Sequence, residues 1–272
     1  MTVNGNLLII IVVSATNFLH SPMYFFLSQL SFCDIVLTTT IVPNLLQVTL
    51  QNGSPMTASG CITQLNVFSF ASTTECLLLT MMSYDRYVAV CKPLHYVTIM
   101  NFQFCLALAV LAWILGFTIT LIVTILISHL NFCNSNTIDH FFCDYAPFFQ
   151  VSCSDTTIVQ TVVFIISTPE TVIETVFIMA TYVCIFLAIH RISSTTGRQK
   201  AFSTCSSHLT VVCTYYGTLI AIYVFPSGEQ SFNMNKIVSL VYTVVTPLLN
   251  PIIYSLRNHE IKTAVKKMFK MY

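Results

Sequence analysis

Residues 103–128 read QFCLALAVLAWILGFTITLIVTILIS, a run without a single Asp, Glu, Lys or Arg. A helix needs about 20 mostly apolar residues to cross the hydrocarbon core of a bilayer. The whole chain shares this bias, because 55% of its 272 residues are hydrophobic and only 8% are charged. A soluble domain usually carries about 25% charged residues. A soluble fold with this composition would expose large apolar patches to water. The composition therefore predicts an integral membrane protein.

Polar clusters and helix breakers divide the chain into apolar segments. These segments span residues 1–16, 22–48, 58–91, 103–128, 159–190, 200–226 and 234–256. Their connections are short except for residues 129–158, which leaves no room for a separate soluble domain. The prediction is an all-α seven-transmembrane helix bundle that forms a single domain over residues 1–272.

The first apolar segment is too short to cross a bilayer. From Met1 to Ala15 a helix reaches roughly 22 Å, whereas the hydrocarbon core is about 30 Å thick. We therefore expect the first helix to be N-terminally truncated and Met1 not to be the native start.

The basic residues indicate the orientation. If the chain crosses as described, all Lys and Arg except Lys236 fall on one side. These are Arg86, Lys92, Arg191, Arg198, Lys200, Arg257, Lys262, Lys266, Lys267 and Lys270. Basic loops stay in the cytoplasm, which predicts a cytoplasmic C-terminus. The tail 258–272 has the pattern of an amphipathic helix lying on the inner leaflet. The alternative is a disordered basic tail.

The chain has 11 cysteines. Seven fall in or at the ends of apolar segments, where reduced buried thiols are expected: Cys33, Cys76, Cys91, Cys105, Cys184, Cys205 and Cys213. Cys61, Cys133, Cys143 and Cys153 lie at outer positions, where the oxidising environment favours disulfides. Four cysteines allow three pairings. Zinc is a poor alternative, because the nearby histidines lack metal-ligand spacing.

Acidic and amide side chains interrupt four of the apolar segments. Asp34 and Glu75 lie midway along the second and third, and Asn6 and Asn250 lie in the first and seventh. Ionisable groups in a membrane span are functional candidates. If these four converge, their oxygens could hold a small cation and water. The alternative is a structural hydrogen-bond network with protonated acids.

The fifth segment carries two acids, Glu170 and Glu174, one helical turn apart and therefore on one face. Acids facing lipid are costly, so both should point inward. Two interpretations stay open. The glutamates form a hydrogen bond between helices, or Glu170 selects ligands that bear an amine.

Five motifs resemble those of vertebrate olfactory receptors, a branch of the rhodopsin-like G-protein-coupled receptors. They are LHSPMYFFLSQL (19–30), MMSYDRYVAVCKPLHY (81–96), HFFCDYAPFFQVSCSD (140–155), KAFSTCSSHL (200–209) and PLLNPIIYSLRN (247–258). Together they make the resemblance specific over essentially the whole chain. Ser83 and Val90 are mild departures from the family motif, which usually has Ala and Ile at these positions.

The resemblance implies roles for individual residues. Cys61 would pair with Cys143, and Cys133 with Cys153. Asp34, Glu75, Asn6 and Asn250 would line a buried cation or water site. The ligand would lie between helices three, five, six and seven. Its expected lining is Phe68, Ser69, Ser72, Thr73, Glu170, Tyr216, Leu219, Ile220, Tyr223 and Thr243.

The resemblance also assigns a switch at the inner end of the third helix. Arg86, flanked by Asp85 and Tyr87, would be held at rest by Asp85. Tyr182 and Tyr254 would swing in to meet Arg86 on activation. From the residues alone, Arg86 is equally an ordinary positive anchor at the cytoplasmic face.

The implied function is an odorant receptor of the plasma membrane. It would bind a small odorant and activate a stimulatory heterotrimeric G protein, which raises cAMP. We expect contact with membrane lipid, no nucleic acid partner, no enzymatic activity and no cofactor beyond a structural sodium ion at Asp34 and Glu75.

Three alternative functions make different demands on the sequence. One is a non-olfactory rhodopsin-like receptor for a small amine or other metabolite, although TYYGT (214–218) lacks the Trp-Pro pair common in such receptors. A transporter or channel would need paired intramembrane charges or broken helices. An intramembrane enzyme would need a nucleophile and base on facing positions, and no such motif occurs.

Overall fold

The chain folds into long helices. The computed structural model describes residues 1–50, 56–131, 137–138, 143, 145, 149, 152–224, 240–257 and 259–270. The longer helices are α1 (Thr2–Ala15), α2 (Pro22–Leu50), α3 (Ala58–Cys91), α4 (Phe102–Ser128), α5 (Thr157–His190), α6 (Thr195–Val224), α7 (Thr246–Arg257) and α8 (His259–Lys270). Short helical segments cover Asn17–Leu19, Pro93–His95 and Tyr96–Ile99. A π-helical turn, Val241–Val245, leads into α7. Strands β1 (Met56–Thr57) and β2 (Thr137–Ile138) pair antiparallel, with Met56 opposite Ile138.

Within the described residues, α2, α3, α4 and α5 are each long and apolar enough to cross a membrane, and α1 is a shorter apolar helix. Large side chains on α4 and α5 point away from the protein, such as Ile114 at 56% and Phe164 at 67% exposure. A soluble protein rarely exposes so many large apolar side chains to water. The helical membrane protein expected from the composition is therefore confirmed at this level.

Helix ends follow local capping chemistry. The Asn101 side chain accepts a hydrogen bond from the Phe104 N–H at 2.9 Å and begins α4. At α6, the Ser194 hydroxyl accepts from the Gly197 N–H at 3.3 Å. This cap starts α6 at Thr195, earlier than the predicted residue 200, because capping outweighs the polar character of the segment. The predicted start of the seventh segment, residue 234, lies outside the described residues.

Helix α3 is the centre of the bundle and contacts α2, α4, α5 and α6. On the α2 and α4 side, the Trp113 indole N–H donates to the Gln29 side chain at 3.0 Å. The Trp113 ring also packs against Phe32 and Phe70, with ring centroids 5.7 and 5.4 Å apart. This aromatic contact fixes α4 against both neighbours.

Four apolar clusters fill the described part of the bundle. The largest joins all eight helices, α1 to α8, and includes the fully buried Tyr254 and Leu78. A smaller one surrounds Cys61 and Cys143. These clusters distinguish the disulfide end of the bundle, around Cys61, from the Arg86 end, near the other terminus of α3.

Helix α8 packs its apolar side onto the bundle, with Ile261 and Ala264 each 1% exposed. The Tyr24 hydroxyl, at the start of α2, donates to Glu260 of α8 at 2.6 Å. Lys267 lies 5.3 Å from the centroid of the Phe18 ring. The tail helix expected from the sequence thus packs against α1, α2 and α7.

Gly116 generates the first prediction. A Cβ atom at this position of α4 would collide with the Thr74 hydroxyl of α3 and lie 3.3 Å from the Phe70 carbonyl oxygen. We expect Gly116→Ala to destabilise the purified protein by about 1–3 kcal/mol, as overpacking does. Adding Thr74→Ala should recover part of the loss by removing the hydroxyl. Thermal unfolding in detergent measures both variants.

Gly217 of α6 is the matched control, because a Cβ there meets nothing within 4 Å. Gly217→Ala should leave stability unchanged or raise it by about 0.4–1 kcal/mol, since alanine restricts the unfolded chain. Equal stability of Gly116→Ala and the natural protein would contradict the close approach of α3 and α4.

Candidate functional site

A buried polar cluster lies at the centre of the bundle. The Asn250 side-chain amide, from α7, donates to both Asp34 carboxylate oxygens at 3.1 Å and to Glu75 Oε1 at 3.5 Å. Asp34 of α2 is 0% exposed and Glu75 of α3 is 1% exposed. Asn6 of α1 lies beside the Asp34 carboxylate. The structure therefore brings together all four residues that the sequence suggested.

Asn6 is positioned by a proline on α7. The carbonyl of Pro247 would normally accept from the N–H four residues later, but residue 251 is Pro251 and has no N–H. The Asn6 side chain donates to this free carbonyl at 3.2 Å. The interaction joins α1 to α7.

This cluster fits a small cation or water. The Oδ1 atoms of Asn6 and Asn250 are buried without a hydrogen-bond partner. With the carboxylates of Asp34 and Glu75 they form a set of hard oxygen donors, as Na⁺ requires. Within the described residues, no three His, Cys, Asp or Glu side chains are arranged to hold a metal, so amide oxygens would have to complete the ligand set.

At the opposite end of α3, Asp85 holds two partners. The Arg86 guanidinium donates to Asp85 Oδ2, with Nε at 2.9 Å and Nη2 closer still. The Tyr96 hydroxyl donates to the other oxygen, Oδ1, at 2.8 Å. Asp85 is 0% and Arg86 8% exposed. Burial, followed by the charge of Asp85, raises the pKa of Tyr96.

The two tyrosines expected to meet Arg86 lie elsewhere in this structure. The Tyr182 hydroxyl of α5 is 2.6 Å from His208 Nδ1 of α6, and the two rings stack. Tyr254 of α7 is fully buried and its hydroxyl has no partner. Tyr87 stacks obliquely on Tyr84, with centroids 6.3 Å apart. The described state therefore joins α5 to α6 rather than either tyrosine to Arg86.

Hydroxyl groups line one face of α3 toward the disulfide end. Ser69 is 3.2 Å from the Tyr145 hydroxyl of the long loop. Ser72 and Cys76 are 3.1 and 2.9 Å from the Tyr215 hydroxyl of α6. Thr73 is half-buried on the same helix.

The structure describes only some of the other residues that were expected to line the ligand pocket. Phe68 is 8% exposed and Thr243 is fully buried in the π-helical turn. The Tyr216 hydroxyl donates to Glu174 at 3.3 Å, whereas Glu170 Oε1 has no partner. The side chains of Leu219, Ile220 and Tyr223 lie outside the described residues.

The Cys61–Cys143 disulfide fastens the long loop to the top of α3, with Cα atoms 5.4 Å apart. Gln64 reinforces it, because its carbonyl accepts from the Cys143 N–H at 3.1 Å while its amide donates to the Thr40 carbonyl of α2 at 2.9 Å. Cys153 is also disulfide-bonded, but its expected partner Cys133 lies outside the described residues. The cysteines named above in the apolar segments are free.

Residues 1–271 match the olfactory receptor family. The chain is 48% identical to human olfactory receptor 11L1 over 270 residues, which covers 99% of this chain and 84% of that protein. It is 44% identical to mouse olfactory receptor 1E16 over 268 residues, 98% of this chain and 85% of the relative. Identity to human olfactory receptor 6X1 is 45% over 267 residues, 98% of this chain and 86% of the relative.

The chain belongs to the olfactory receptor family. It is therefore a G-protein-coupled receptor of sensory transduction and not an enzyme. Membership in the family implies an odorant ligand and coupling to a G protein, and it agrees with the apolar helices of a membrane protein.

Sequence reasoning missed several partners of the olfactory receptor's site residues. Each of these partners hydrogen-bonds directly to a predicted site residue: Tyr96 to Asp85, Tyr145 to Ser69, His208 to Tyr182 and Tyr215 to Ser72. Their contacts join different elements, so no periodic pattern reveals them. Tyr96 had a signal, because it closes the same motif that contains Asp85.

The disulfide gives the second prediction. Cys61→Ser or Cys143→Ser should sharply reduce delivery of the receptor to the cell surface, because the loop loses its anchor and a native disulfide contributes about 2–5 kcal/mol. Surface immunostaining measures this outcome. Cys184→Ser is the control, since Cys184 is free and exposed on α5. Normal staining of both the Cys61→Ser and the Cys143→Ser receptors would refute the structural role of the bond.

Proposed function

We propose that this chain crosses the plasma membrane seven times as an odorant receptor. In this proposal a small odorant binds between α3, α5, α6 and α7 toward the disulfide end. Receptor activation then engages a stimulatory heterotrimeric G protein at the Arg86 end, and cAMP rises. The observation that carries the proposal is the family match over residues 1–271.

The proposed pocket combines apolar walls with a few hydroxyl groups. Its lining is Phe68, Ser69, Ser72, Thr73, Glu170, Tyr216, Leu219, Ile220, Tyr223 and Thr243. Sites of this kind suit small ligands that are mostly apolar, with polar groups fixing the orientation. The Tyr145 hydroxyl contacts Ser69 of α3 and would add a polar group beside this part of the proposed pocket.

The proposed switch uses two contacts at the Arg86 end. Asp85 holds Arg86, and the Tyr182–His208 contact holds α5 against α6. A ligand changes the balance between two helix arrangements only through its differential affinity for them. In the active arrangement, Tyr182 and Tyr254 would leave their present positions and meet Arg86. The freed groove would then accept a helix of the G protein.

Asp34, Glu75, Asn6 and Asn250 would hold a sodium ion in this proposal. Such an ion would supply a positive charge to offset the two buried carboxylates. The chain's own part is to keep the amide oxygens of Asn6 and Asn250 without protein donors, so that they remain available to a cation or to water.

The proposed orientation places the Arg86 end and the C-terminus in the cytoplasm. The exposed lysines of α8, Lys262, Lys266 and Lys267, would then face anionic lipid headgroups. The apolar surfaces of α4 and α5 would contact the acyl chains. A nucleic acid partner is not proposed.

Arg86→Ala tests the switch. We expect the variant to lose the cAMP response to any agonist found in an odorant panel, because the guanidinium is removed from the G-protein groove. Binding should persist, measured as the thermal shift that the same agonist produces. Lys267→Ala, which removes a cation from the same end but leaves the Asp85–Arg86 pair intact, should retain most of the response. Full signalling by Arg86→Ala at equal surface level would rule out this role.

The Tyr182–His208 contact gives a separate prediction. His208→Phe keeps a ring for stacking but removes the hydrogen-bond partner of Tyr182, which should free α6 and raise ligand-independent cAMP. Combining it with Arg86→Ala should abolish the increase, since the signal passes through Arg86. Basal cAMP at or below that of the natural receptor, with equal surface staining, would contradict a resting role for this contact.

A further inference from the structure

We propose that Glu170 and Glu174 form a subsite that binds the protonated amine of a ligand, so that the receptor prefers small primary or secondary amines over neutral molecules of the same shape. This inference rests on the proposed pocket between α3, α5, α6 and α7. It adds a ligand class that the apolar walls alone would not select.

The two glutamates occupy the protein-facing side of α5. They are one helical turn apart and therefore lie on the same face. Residues on the opposite face are strongly exposed, including Val172 at 54% and Met179 at 62%. Glu174 is only 5% exposed. The carboxylates thus lie on the side of α5 away from the lipid-facing surface.

The protein does not satisfy these carboxylates. Glu174 Oε2 accepts one hydrogen bond, from the Tyr216 hydroxyl at 3.3 Å. The Oε1 atoms of Glu170 and of Glu174 are both buried without a partner. Among the described residues, the only ion pair is Arg86–Asp85, at the other end of α3. A contact between helices therefore accounts for one oxygen of Glu174 and leaves two buried acceptors without donors, which is unfavourable.

In the described part of α3 and α6, the polar groups around Cys76 bond to one another rather than to Glu170 Oε1 or Glu174 Oε1. Cys76 is close enough to both glutamates to interact with them electrostatically. The Tyr215 hydroxyl beside it contacts Ser72 and Cys76. A group that enters the site can supply the missing donors.

A protonated amine matches this deficit in charge and in geometry. An ammonium group carries several N–H donors and no acceptor. Residues one turn apart have Cβ atoms about 5–6 Å from each other, so one ammonium group can lie between the two carboxylates. Aliphatic amines with a pKa near that of lysine, about 10, are protonated at neutral pH. A quaternary amine has no N–H and would lack these hydrogen bonds.

The test uses amines paired with alcohols of the same skeleton: hexylamine with 1-hexanol, cyclohexylamine with cyclohexanol, and 2-phenylethylamine with 2-phenylethanol. Binding is measured as the shift in thermal unfolding of the purified receptor in nanodiscs at pH 7. The cAMP response in cells is measured separately. Direct binding keeps the result independent of G-protein coupling.

Glu170→Gln and Glu174→Gln remove charge while keeping size, and the amide oxygen introduced by Glu174→Gln can still accept from Tyr216. Asp155→Asn is the matched control. Asp155 is an exposed carboxylate that accepts from the Thr157 N–H at 2.9 Å at the start of α5, and asparagine can make the same bond. We expect each glutamine variant to weaken amine binding by about 30-fold or more, as loss of a desolvated charge partner does. Alcohol binding should change little, and the control should behave like the natural receptor.

The outcomes separate this inference from the proposed function. Stabilisation by amines that depends on Glu170 or Glu174 supports the subsite even if no cAMP response follows, and the absence of any response would then count against the proposed coupling. If no amine binds more tightly than its alcohol partner, or if both glutamine variants bind amines normally, the subsite is overturned. A cAMP response to alcohols in that case would leave the odorant receptor proposal standing. Should Glu174→Gln fold poorly, Glu170→Gln decides, because no hydrogen bond to Glu170 Oε1 is lost.

Discussion

Asn250 donates from α7 to the carboxylates of Asp34 and Glu75, and this contact determines how the middle of the bundle packs. The hydrocarbon core of a bilayer contains no water, so buried carboxylates must form their hydrogen bonds inside the protein. This requirement brings α2, α3 and α7 into contact through Asp34, Glu75 and Asn250. Pro251 draws in α1 as well, because it frees the Pro247 carbonyl for the Asn6 amide.

Helix α3 carries proposed functional groups on both sides of this cluster. Toward the disulfide end, α3 presents Ser69 and Ser72 to the loop and to α6. At the other end it presents Asp85 and Arg86, while His208 ties α6 to α5. One rigid helix thus contacts both regions, and α6 touches it at both. Since Tyr215 contacts Ser72 and Cys205 packs beside Tyr87, a change in the position of α6 would affect both regions of α3.

The sequence predicted elements better than contacts. Apolar runs bounded by polar clusters located the first five helices to within a few residues, whereas Ser194 caps α6 earlier than predicted. The predicted start of the seventh segment lies outside the described residues. Asp34, Glu75, Asn6 and Asn250 stood out because ionisable and amide groups are costly in a membrane span. The contacts of Asp85 with Tyr96 and of Tyr182 with His208 depend on side-chain rotamers across separate elements. No local periodicity encodes them, and the disulfide pairing came from the family resemblance and not from spacing.

The glutamates of α5 are acids in an apolar helix, and two of their buried oxygens have no donor. By comparison, Asp85 has Arg86 and Tyr96 as partners, and Asp34 and Glu75 share the Asn250 amide. Glu170 and Glu174 share one weak donor, Tyr216. Natural sequences are locally consistent except where function requires otherwise. An acid pair that lowers the stability of the free receptor persists if a ligand supplies the missing charge, because binding then restores what the folded chain lacks.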